Sequence, residues 1–428
     1  MALERDDSDV ESFEDALVDG DVPYQRGTAG AALRHRNFRV VYAGTFSSNV
    51  GTWMQNVVLG EYAFQLTGSS AYVGLIFFAQ LGPLLFLSLA GGALADSVDR
   101  KRLLISLQLI QGALSFVLAA VAWSGEPSRA VLVVIVFAIG IANALGAPGL
   151  SSILPTLVPK PDMPGAVALM SVQMNLSRVI GPVIGAAIYA AFDVGPIFAI
   201  NGLTYLFAVA GLMLATYPRR VNAKHTESAV KRVLAGVRVA RTDPLVRYVL
   251  LTLFSFSFFS LAFVGMFPVI AEVNFDITGA SYGVLYAVFG LGAALGAISV
   301  GTWFAKRSKV ALLRPAFIAF AVMLGIFGAL RSAALAFPVV ALLGYVYFVA
   351  ITCLSTVLQT HLRDEIRGRV MALWIMGFGG TVPLGVLIAG PFTKEHSTEV
   401  LLVGALWALV LALWSNADAL RRKGATDV

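Results

Sequence analysis

Long apolar stretches alternate with short polar ones along most of the chain. Each stretch is about 20 residues long, the length that an α-helix needs to cross the hydrocarbon core of a bilayer. Strand-like alternation is absent and glycine is frequent, at 41 residues, so helices are favoured over a membrane barrel. The pattern predicts twelve spans, at residues 40–64, 72–94, 103–123, 131–153, 168–191, 196–216, 248–271, 281–304, 311–330, 335–357, 370–392 and 398–415.

Composition also indicates an integral membrane protein. Of the 428 residues, 58% are apolar and 13% are charged, whereas soluble domains average about 25% charged. The single cysteine, Cys353, lies in a span and cannot form an internal disulfide. The four histidines lie in loops and tails at no metal-ligand spacing, and no phosphate-binding loop or nucleophile motif is present. We therefore expect no cofactor, no metal site and no enzymatic activity.

Lysine and arginine are distributed asymmetrically around the predicted spans. Of the 31 such residues, 27 lie in the two tails and the even-numbered loops, and three lie in odd-numbered loops. By the positive-inside rule, this distribution places both termini in the cytoplasm. Membrane topology therefore accounts for the net charge of +6, which gives no indication of nucleic-acid binding.

The longest polar break between spans divides them six and six. Within it, apolar residues recur at helical spacing among basic ones, which predicts an amphipathic helix in the plane of the membrane surface, or alternatively a docking site for a regulator. Residues 1–21 carry nine acidic residues and one basic, the reverse of the positive start of a signal peptide. The predicted organisation is a disordered acidic tail (1–33), a six-helix half (34–217), a cytoplasmic linker (218–247), a second six-helix half (248–415) and a cytoplasmic tail (416–428).

The loop between the second and third spans holds a glycine, an acid and a basic cluster: Gly92, Asp96, Arg100, Lys101 and Arg102. This arrangement resembles the signature loop of the major facilitator superfamily. The resemblance implies a cytoplasmic gate in which Asp96 caps the N-terminus of the eleventh span near Gly368, where a carboxylate meets unpaired amides and the positive end of the helix dipole. A plain stop-transfer cluster that sets topology is the alternative.

The fifth span carries a stripe of small residues. Ser177, Gly181 and Gly185 recur every four residues and form a flat face for the close approach of another helix, and Pro182 weakens the helix and allows a bend. The stripe resembles the antiporter pattern of the same superfamily, which marks exporters more than importers. The resemblance gives Gly181, Pro182 and Gly185 a gating role, with generic small-residue packing as the alternative.

Similarity to this superfamily covers most of residues 37–415. Pro182 in the fifth span matches Pro383 in the eleventh at an offset of 201 residues, which indicates two parallel repeats. The Asn-Val-Gly-Thr-Trp-Met-Gln stretch at 49–55 most specifically resembles the enterobactin-exporter and macrolide-efflux-like branch, the transmembrane secretion effectors. The resemblance implies an all-α membrane protein of the bacterial inner membrane, with twelve transmembrane helices in two pseudo-symmetric halves.

Two charged side chains, Glu61 and Arg178, fall well inside predicted spans. A charge at the centre of a membrane helix costs about 2.5 to 3.5 kcal/mol on insertion scales and is usually retained for function. Arg178 lies near the midplane, where it would meet an anionic substrate group or a carboxylate; a structural arginine satisfied by groups such as Asn175 is the alternative. Glu61 lies nearer the outer end of the first span and is the leading candidate proton site, unless it reaches the outer surface.

Other polar and aromatic side chains in the spans are candidates for lining a central cavity. The predicted substrate-binding set is Arg178, Asn49, Trp53, Asn56, Gln80, Asn143, Asn175 and Trp374. Hydrogen bonding between helices is the alternative explanation for the polar members.

These observations predict a secondary active transporter that exports small amphiphilic molecules, such as siderophores, drugs or natural products, by proton-coupled alternating access. Its partners would be the small-molecule substrate, protons and the lipid bilayer, and we expect a monomer. Two alternatives stay open: a proton-coupled importer of the same fold, and a membrane sensor or scaffold that transports nothing.

Overall fold

Each predicted span is a long helix, or two helices in line, in the computed structural model, which describes residues 26–125, 127–216 and 229–415. Within these ranges it contains helices and no strand. A short helix α1 (Ala29–Arg34) precedes the helices of the first six spans, which are α2 (Arg36–Thr67), α3 (Ser70–Ser97), α4 (Arg100–Trp123), α5 (Arg129–Leu157), α6 (Met163–Ala191) and α7 (Val194–Leu214). The remaining helices are α8 (Ala229–Thr242), α9 (Pro244–Ser255), α10 (Ala262–Phe275), α11 (Gly279–Gly301), α12 (Lys309–Ala329), α13 (Ala333–His361), α14 (Asp364–Thr393) and α15 (Ser397–Trp414).

Polar residues in the short loops define where several helices begin. The hydroxyl of Ser69 accepts a hydrogen bond from the amide of Tyr72 at the start of α3, and Asp99 accepts one from Arg102 at the start of α4. Asp243 accepts hydrogen bonds from two amides in the first turn of α9. Because these caps satisfy amides that have no partner within the helix, the chain can turn and re-enter the membrane after only a few residues.

Eleven of the described helical segments are long and apolar enough to cross a membrane. The first span, α2, is 32 residues long but is not among them, because polar side chains run through it. These side chains bond to neighbouring helices: Gln55 accepts hydrogen bonds from Ser115 of α4 and Asn201 of α7. The predicted all-helical membrane fold is confirmed, and eleven of the twelve predicted spans meet this criterion in the described residues.

The seventh span is not one continuous α-helix. A π-helical turn, Phe256–Ser260, separates α9 from α10. At this turn the chain comes very close to α14, because a Cβ atom at Gly385 would lie 2.0 Å from the carbonyl oxygen of Phe258. The hydroxyl of Ser260 donates a hydrogen bond of 2.8 Å to the carbonyl of Gly404 in α15. The π turn is therefore where the seventh span packs against both of the last two.

Small residues bring the first six spans against the last six along two helix pairs, α3 with α14 and α6 with α11. A Cβ atom at Gly74 of α3 would lie 3.0 Å from the carbonyl oxygen of Val386. A Cβ atom at Gly290 of α11 would lie 3.0 Å from the carbonyl oxygen of Arg178. Such contacts let backbones approach closely where lipid provides no hydrophobic drive for association. Arg178 therefore lies on the junction between the two sets of spans.

The predicted boundary of the disordered tail at residue 33 needs correction, because Ala29–Arg34 form α1. The hydroxyl of Thr28 accepts a hydrogen bond from the amide of Ala31 and caps this helix. A Cβ atom at Gly165 of α6 would lie 2.1 Å from the carbonyl oxygen of Thr28, so the segment packs directly on α6. The rest of the predicted tail, residues 1–25, lies outside the described residues.

The predicted linker helix is present as α8. A Cβ atom at Gly236 would lie 2.7 Å from the carbonyl oxygen of Arg369, so α8 packs on the first turns of α14. Residues 217–228 of the predicted linker and the C-terminal residues 416–428 lie outside the described residues. The linker helix is thus attached to the helix on which the predicted cytoplasmic gate depends.

Candidate functional site

Arg178 of α6 is enclosed by aromatic side chains at the centre of the bundle. Its guanidinium carbon lies 5.0 Å from the ring centre of Trp53 in α2 and 5.2 Å from that of Phe348 in α13. We call these two aromatic residues the aromatic cage. Arg178 and its cage join helices from both sets of six spans.

The charge of Arg178 is not balanced by an anion in the part of the chain that the structure describes. Its buried Nε has no hydrogen-bond partner. Asn175, the partner considered from the sequence, donates instead to the carbonyl of Ser171 in its own helix, at 2.9 Å. Cation–π contacts are worth about 2 kcal/mol or more when desolvated, so the cage offsets part of the cost of a buried charge. The guanidinium can therefore still bind an anionic or electron-rich group.

The small-residue stripe of α6 positions the cage. A Cβ atom at Gly181 would lie 2.7 Å from the Cβ of Trp53, and one at Gly185 would lie 3.0 Å from the Cγ of Met54. This face therefore brings α6 against α2, so that Arg178 and Trp53 meet one turn away from Gly181. The helix continues through Pro182 without interruption.

The other predicted cavity residues lie in different environments. The amide of Gln80 in α3 donates a hydrogen bond to Asn56 in α2, so these two satisfy each other between helices. Trp374 is buried in the main hydrophobic core, whereas Asn143 is exposed and Asn49 is half-buried. Of the predicted set, Trp53 is the residue that the structure places against Arg178.

Glu61 is buried near the far end of α2, at 3% exposure. Its Oε1 accepts hydrogen bonds from the amide of Gly279, the first residue of α11, and from the side chain of Gln65. Its Oε2 is buried and has no hydrogen-bond partner among the described residues. Glu61 and Arg178 contact α11 at different depths and do not meet. We call the bundle end near Gly279 the outer end, following the predicted orientation.

The predicted gating loop is described in part. Gly92 and Asp96 lie in the last turns of α3, and the side chain of Asp96 is outside the described part of the structure. The ammonium of Lys101 donates hydrogen bonds of 3.0 Å to the carbonyls of Met213 and Ala215 at the end of α7. Lys101 therefore ties α4 to α7. The remaining bases lie in the first turn of α4: Arg100 and Arg102.

Of the two cage residues, Phe348 was not predicted from the sequence. The chain has 28 phenylalanines and 12 tyrosines, most of them expected to pack in the spans or face lipid. A span that is apolar on all faces gives no periodicity from which to deduce which aromatic ring faces Arg178.

Comparison with known proteins agrees with the fold and the motifs. The transmembrane secretion effector family matches residues 27–427. The chain belongs to this family of major facilitator transporters. The curated relatives include the enterobactin exporters EntS of Shigella boydii serotype 18 and of Escherichia coli O139:H28, each 27% identical over 341 residues, which is 79% of this chain and 81% of the relative. The resemblance inferred from the motifs is thus confirmed.

Solved structures confirm the fold. The nucleoside transporter NupG has a TM-score of 0.73 at 13% identity, covering 90% of this chain and 99% of NupG. A bacterial homologue of the human lysosomal transporter Spinster, in an inward-facing and unoccupied conformation, has a TM-score of 0.66 at 14% identity, covering 92% and 98%. The protein is a multi-pass membrane transporter of the major facilitator fold and not an enzyme, as the sequence predicted.

Proposed function

We propose that this transporter exports small amphiphilic molecules that carry an anionic or electron-rich aromatic group, such as siderophores, drugs or other natural products. The observation that carries the proposal is Arg178, a cation in the middle of α6 that contacts aromatic rings and, among the described residues, no anion. A substrate anion would supply the missing charge partner, and its apolar part would pack on the cage rings. The exporters at 27% identity, named for enterobactin, support this direction and substrate class.

Alternating access is the proposed mechanism. Arg178 and Trp53 belong to α6 and α2, whereas Phe348 belongs to α13. If one six-helix half rocks against the other, the ring contributed by the second half moves relative to the guanidinium. The binding site would then open to one side of the membrane at a time, as in other transporters built from two repeats.

Proton coupling is assigned to Glu61 in this proposal. It is a buried carboxyl group inside a span, and its contact with Gly279 crosses between the proposed halves. The gating loop supplies the proposed inner gate, through Asp96 with Gly92 and the neighbouring bases. The proposal places the protein as a monomer in the bacterial inner membrane, with both termini in the cytoplasm.

The test is accumulation of labelled amphiphiles in efflux-deficient bacteria that express the protein, with and without a protonophore. The compounds include a catecholate siderophore, a macrolide and an uncharged analogue of similar size. We expect reduced accumulation of the anionic and aromatic compounds, restored by the protonophore. Raised accumulation would show import. Unchanged accumulation of every compound would contradict export of this substrate class.

A further inference from the structure

At the outer end, two charged side chains reach the ends of helices in the opposite set of spans. Glu61 of α2 accepts a hydrogen bond from the amide of Gly279, at the N-terminus of α11. Lys394, which follows α14, donates a hydrogen bond of 2.8 Å from Nζ to the carbonyl of Gly68, the residue that caps the C-terminus of α2. Each of these two charged side chains thus contacts a helix end that belongs to the opposite set of spans.

Both contacts have the favourable electrostatic sign. The N-terminus of a helix carries a partial positive charge and the C-terminus a partial negative charge. The Glu61 carboxylate lies at the positive end of α11, and the Lys394 ammonium lies at the negative end of α2. Because each charge and its helix end belong to different sets of spans, both interactions are lost if the two sets separate at this end.

Neighbouring groups hold the Glu61 carboxylate ready for this contact. Gln65 donates a hydrogen bond of 3.2 Å to the same oxygen, and Tyr189 of α6 donates one of 2.8 Å to the side-chain carbonyl of Gln65. Glu61, Gln65 and Tyr189 all lie in the first six spans, so their arrangement does not depend on the position of α11. Because these hydrogen bonds already restrict the rotamers of Glu61, its contact with α11 costs less conformational entropy to form.

Lys394 contacts the first six spans at two further points. Its amide donates a hydrogen bond of 3.3 Å to the hydroxyl of Ser70, and its ammonium lies 5.9 Å from the ring centre of Phe64. Beside these contacts, a Cβ atom at Gly60 of α2 would lie 3.2 Å from the Cγ of Pro268 in α10. The outer end is therefore closed, with little spare space between α2 and α10.

We infer that Glu61 and Lys394 form the outer gate of the transporter, as a reciprocal pair of charge-to-helix-end contacts that stabilise the outward-closed state. The inference rests on the proposed alternating access, but on neither the substrate nor the coupling ion. It gives Lys394 a function that its position in a short loop does not indicate. It also gives Glu61 a role in conformational change, separate from proton transfer.

The test measures the opening of the outer end directly. In a Cys353→Ala background, cysteines replace Ser128 and Ala334, which are exposed at the outer ends of α5 and α13 and carry spin labels. Double electron–electron resonance on the purified full chain then gives the populations of short and long distances. We expect Glu61→Gln and Lys394→Gln each to raise the ratio of open to closed molecules about fivefold, and the double variant to raise it further.

A matched control neutralises a charge at the same end that does not bridge the two sets of spans. Arg331 donates to the carbonyls of Gly328 and Leu330 and to the hydroxyl of Thr398, all within the last six spans. Arg331→Gln is therefore expected to keep the parental distance distribution.

If both gate variants gave the same distribution as the parent protein and Arg331→Gln, the gate would be rejected. If Glu61→Gln does not yield folded protein, Glu61→Asp is used in its place. Its shorter side chain cannot reach the amide of Gly279, so the same rise in the ratio of open to closed molecules is expected. The measurement needs no substrate, so its failure is distinct from a failure of export.

Discussion

Glu61 and Arg178 contact the same helix, α11, at positions eleven residues apart: Glu61 at Gly279 and Arg178 at Gly290. At 1.5 Å per residue, the two contacts are separated by roughly 16 Å along the helix. The two intramembrane charges therefore do not neutralise each other. Each needs its own explanation, and we assign substrate binding to Arg178 and gating with proton coupling to Glu61.

Export is expected to depend on the planar shape of the Arg178 guanidinium as well as on its positive charge. Arg178→Gln should lower the export of an anionic amphiphile at least tenfold, because the substrate loses its charge partner. Arg178→Lys should retain partial activity, since an ammonium keeps the charge but loses the planar group that stacks on the rings. Initial export rates in energised membrane vesicles check this. Equal rates for the parent protein and Arg178→Gln would contradict a substrate role.

Trp53 is expected to contribute to substrate binding through its aromatic ring. Trp53→Phe keeps an aromatic face and is expected to reduce substrate affinity about threefold, whereas Trp53→Leu should reduce it about tenfold or more. Equilibrium binding of the labelled substrate to purified protein measures both. Phe259→Leu is a matched control, because its ring packs on Trp407 and not on Arg178. Equal affinity for the Phe and Leu variants of Trp53 would show that the aromatic face is not used.

The fold was accessible from the sequence because membrane helices follow from apolar length, and the loops between them from charge. The observed α12, Lys309–Ala329, differs from the predicted span 311–330 by two residues at most. The π turn at Phe256–Ser260 was not predicted, and its close contact is with Gly385, in a helix more than a hundred residues away. Local pattern carries no information about such a distant contact.

The candidate site was predictable only where a residue was chemically unusual for its surroundings. Arg178 and Glu61 stand out as charges in apolar spans. The cage residue Phe348 does not, since aromatic rings are common in membrane helices. The acceptor of the Lys394 ammonium is the backbone carbonyl of Gly68, and a backbone group leaves no signature of its function in the sequence.

Gly181 should be intolerant of even one methyl group. A Cβ atom there would lie 2.7 Å from both the Cβ of Trp53 and the carbonyl oxygen of Val50, so α2 and α6 must move apart. We expect Gly181→Ala to destabilise the protein by about 1–3 kcal/mol, in the range typical of overpacking. Thermal unfolding of the purified protein provides the measurement.

Gly325→Ala is the control for that substitution. Gly325 lies within α12, and a Cβ atom there would meet nothing within 4 Å. Alanine favours a helix over glycine by about 1 kcal/mol, so this variant should be as stable as the parent protein or slightly more stable. If both glycine variants unfolded at the parental temperature, the proposed tight contact between α2 and α6 would be wrong.

At the inner end, each set of six spans contains a hydrogen-bonded histidine–aspartate pair, and the positions of the two residues are exchanged between the sets. In the first, His35 precedes α2 and bonds Asp162, which precedes α6, at 2.8 Å. In the second, Asp243 precedes α9 and bonds His361, at the end of α13, at 2.7 Å. Each pair ties the start of the first helix to the loop ahead of the fifth. Because the two pairs join corresponding positions of the two sets, we expect the order of acid and imidazole to matter little within a pair.

An exchange experiment tests this equivalence. His35→Asp places two carboxylates together and should cost about 1 kcal/mol, in the range of a hydrogen bond to a charged group that is partly exposed. Adding Asp162→His restores the pair in the order found in the second set and should recover most of that loss. Thermal unfolding of the single and double variants measures the coupling, and His396→Asp, at an exposed histidine of the outer end, is the control. A double variant no more stable than His35→Asp would show that the order of the residues matters, because the hydrogen bond from the amide of Gly27 to Asp162, at 3.1 Å, is also lost on exchange.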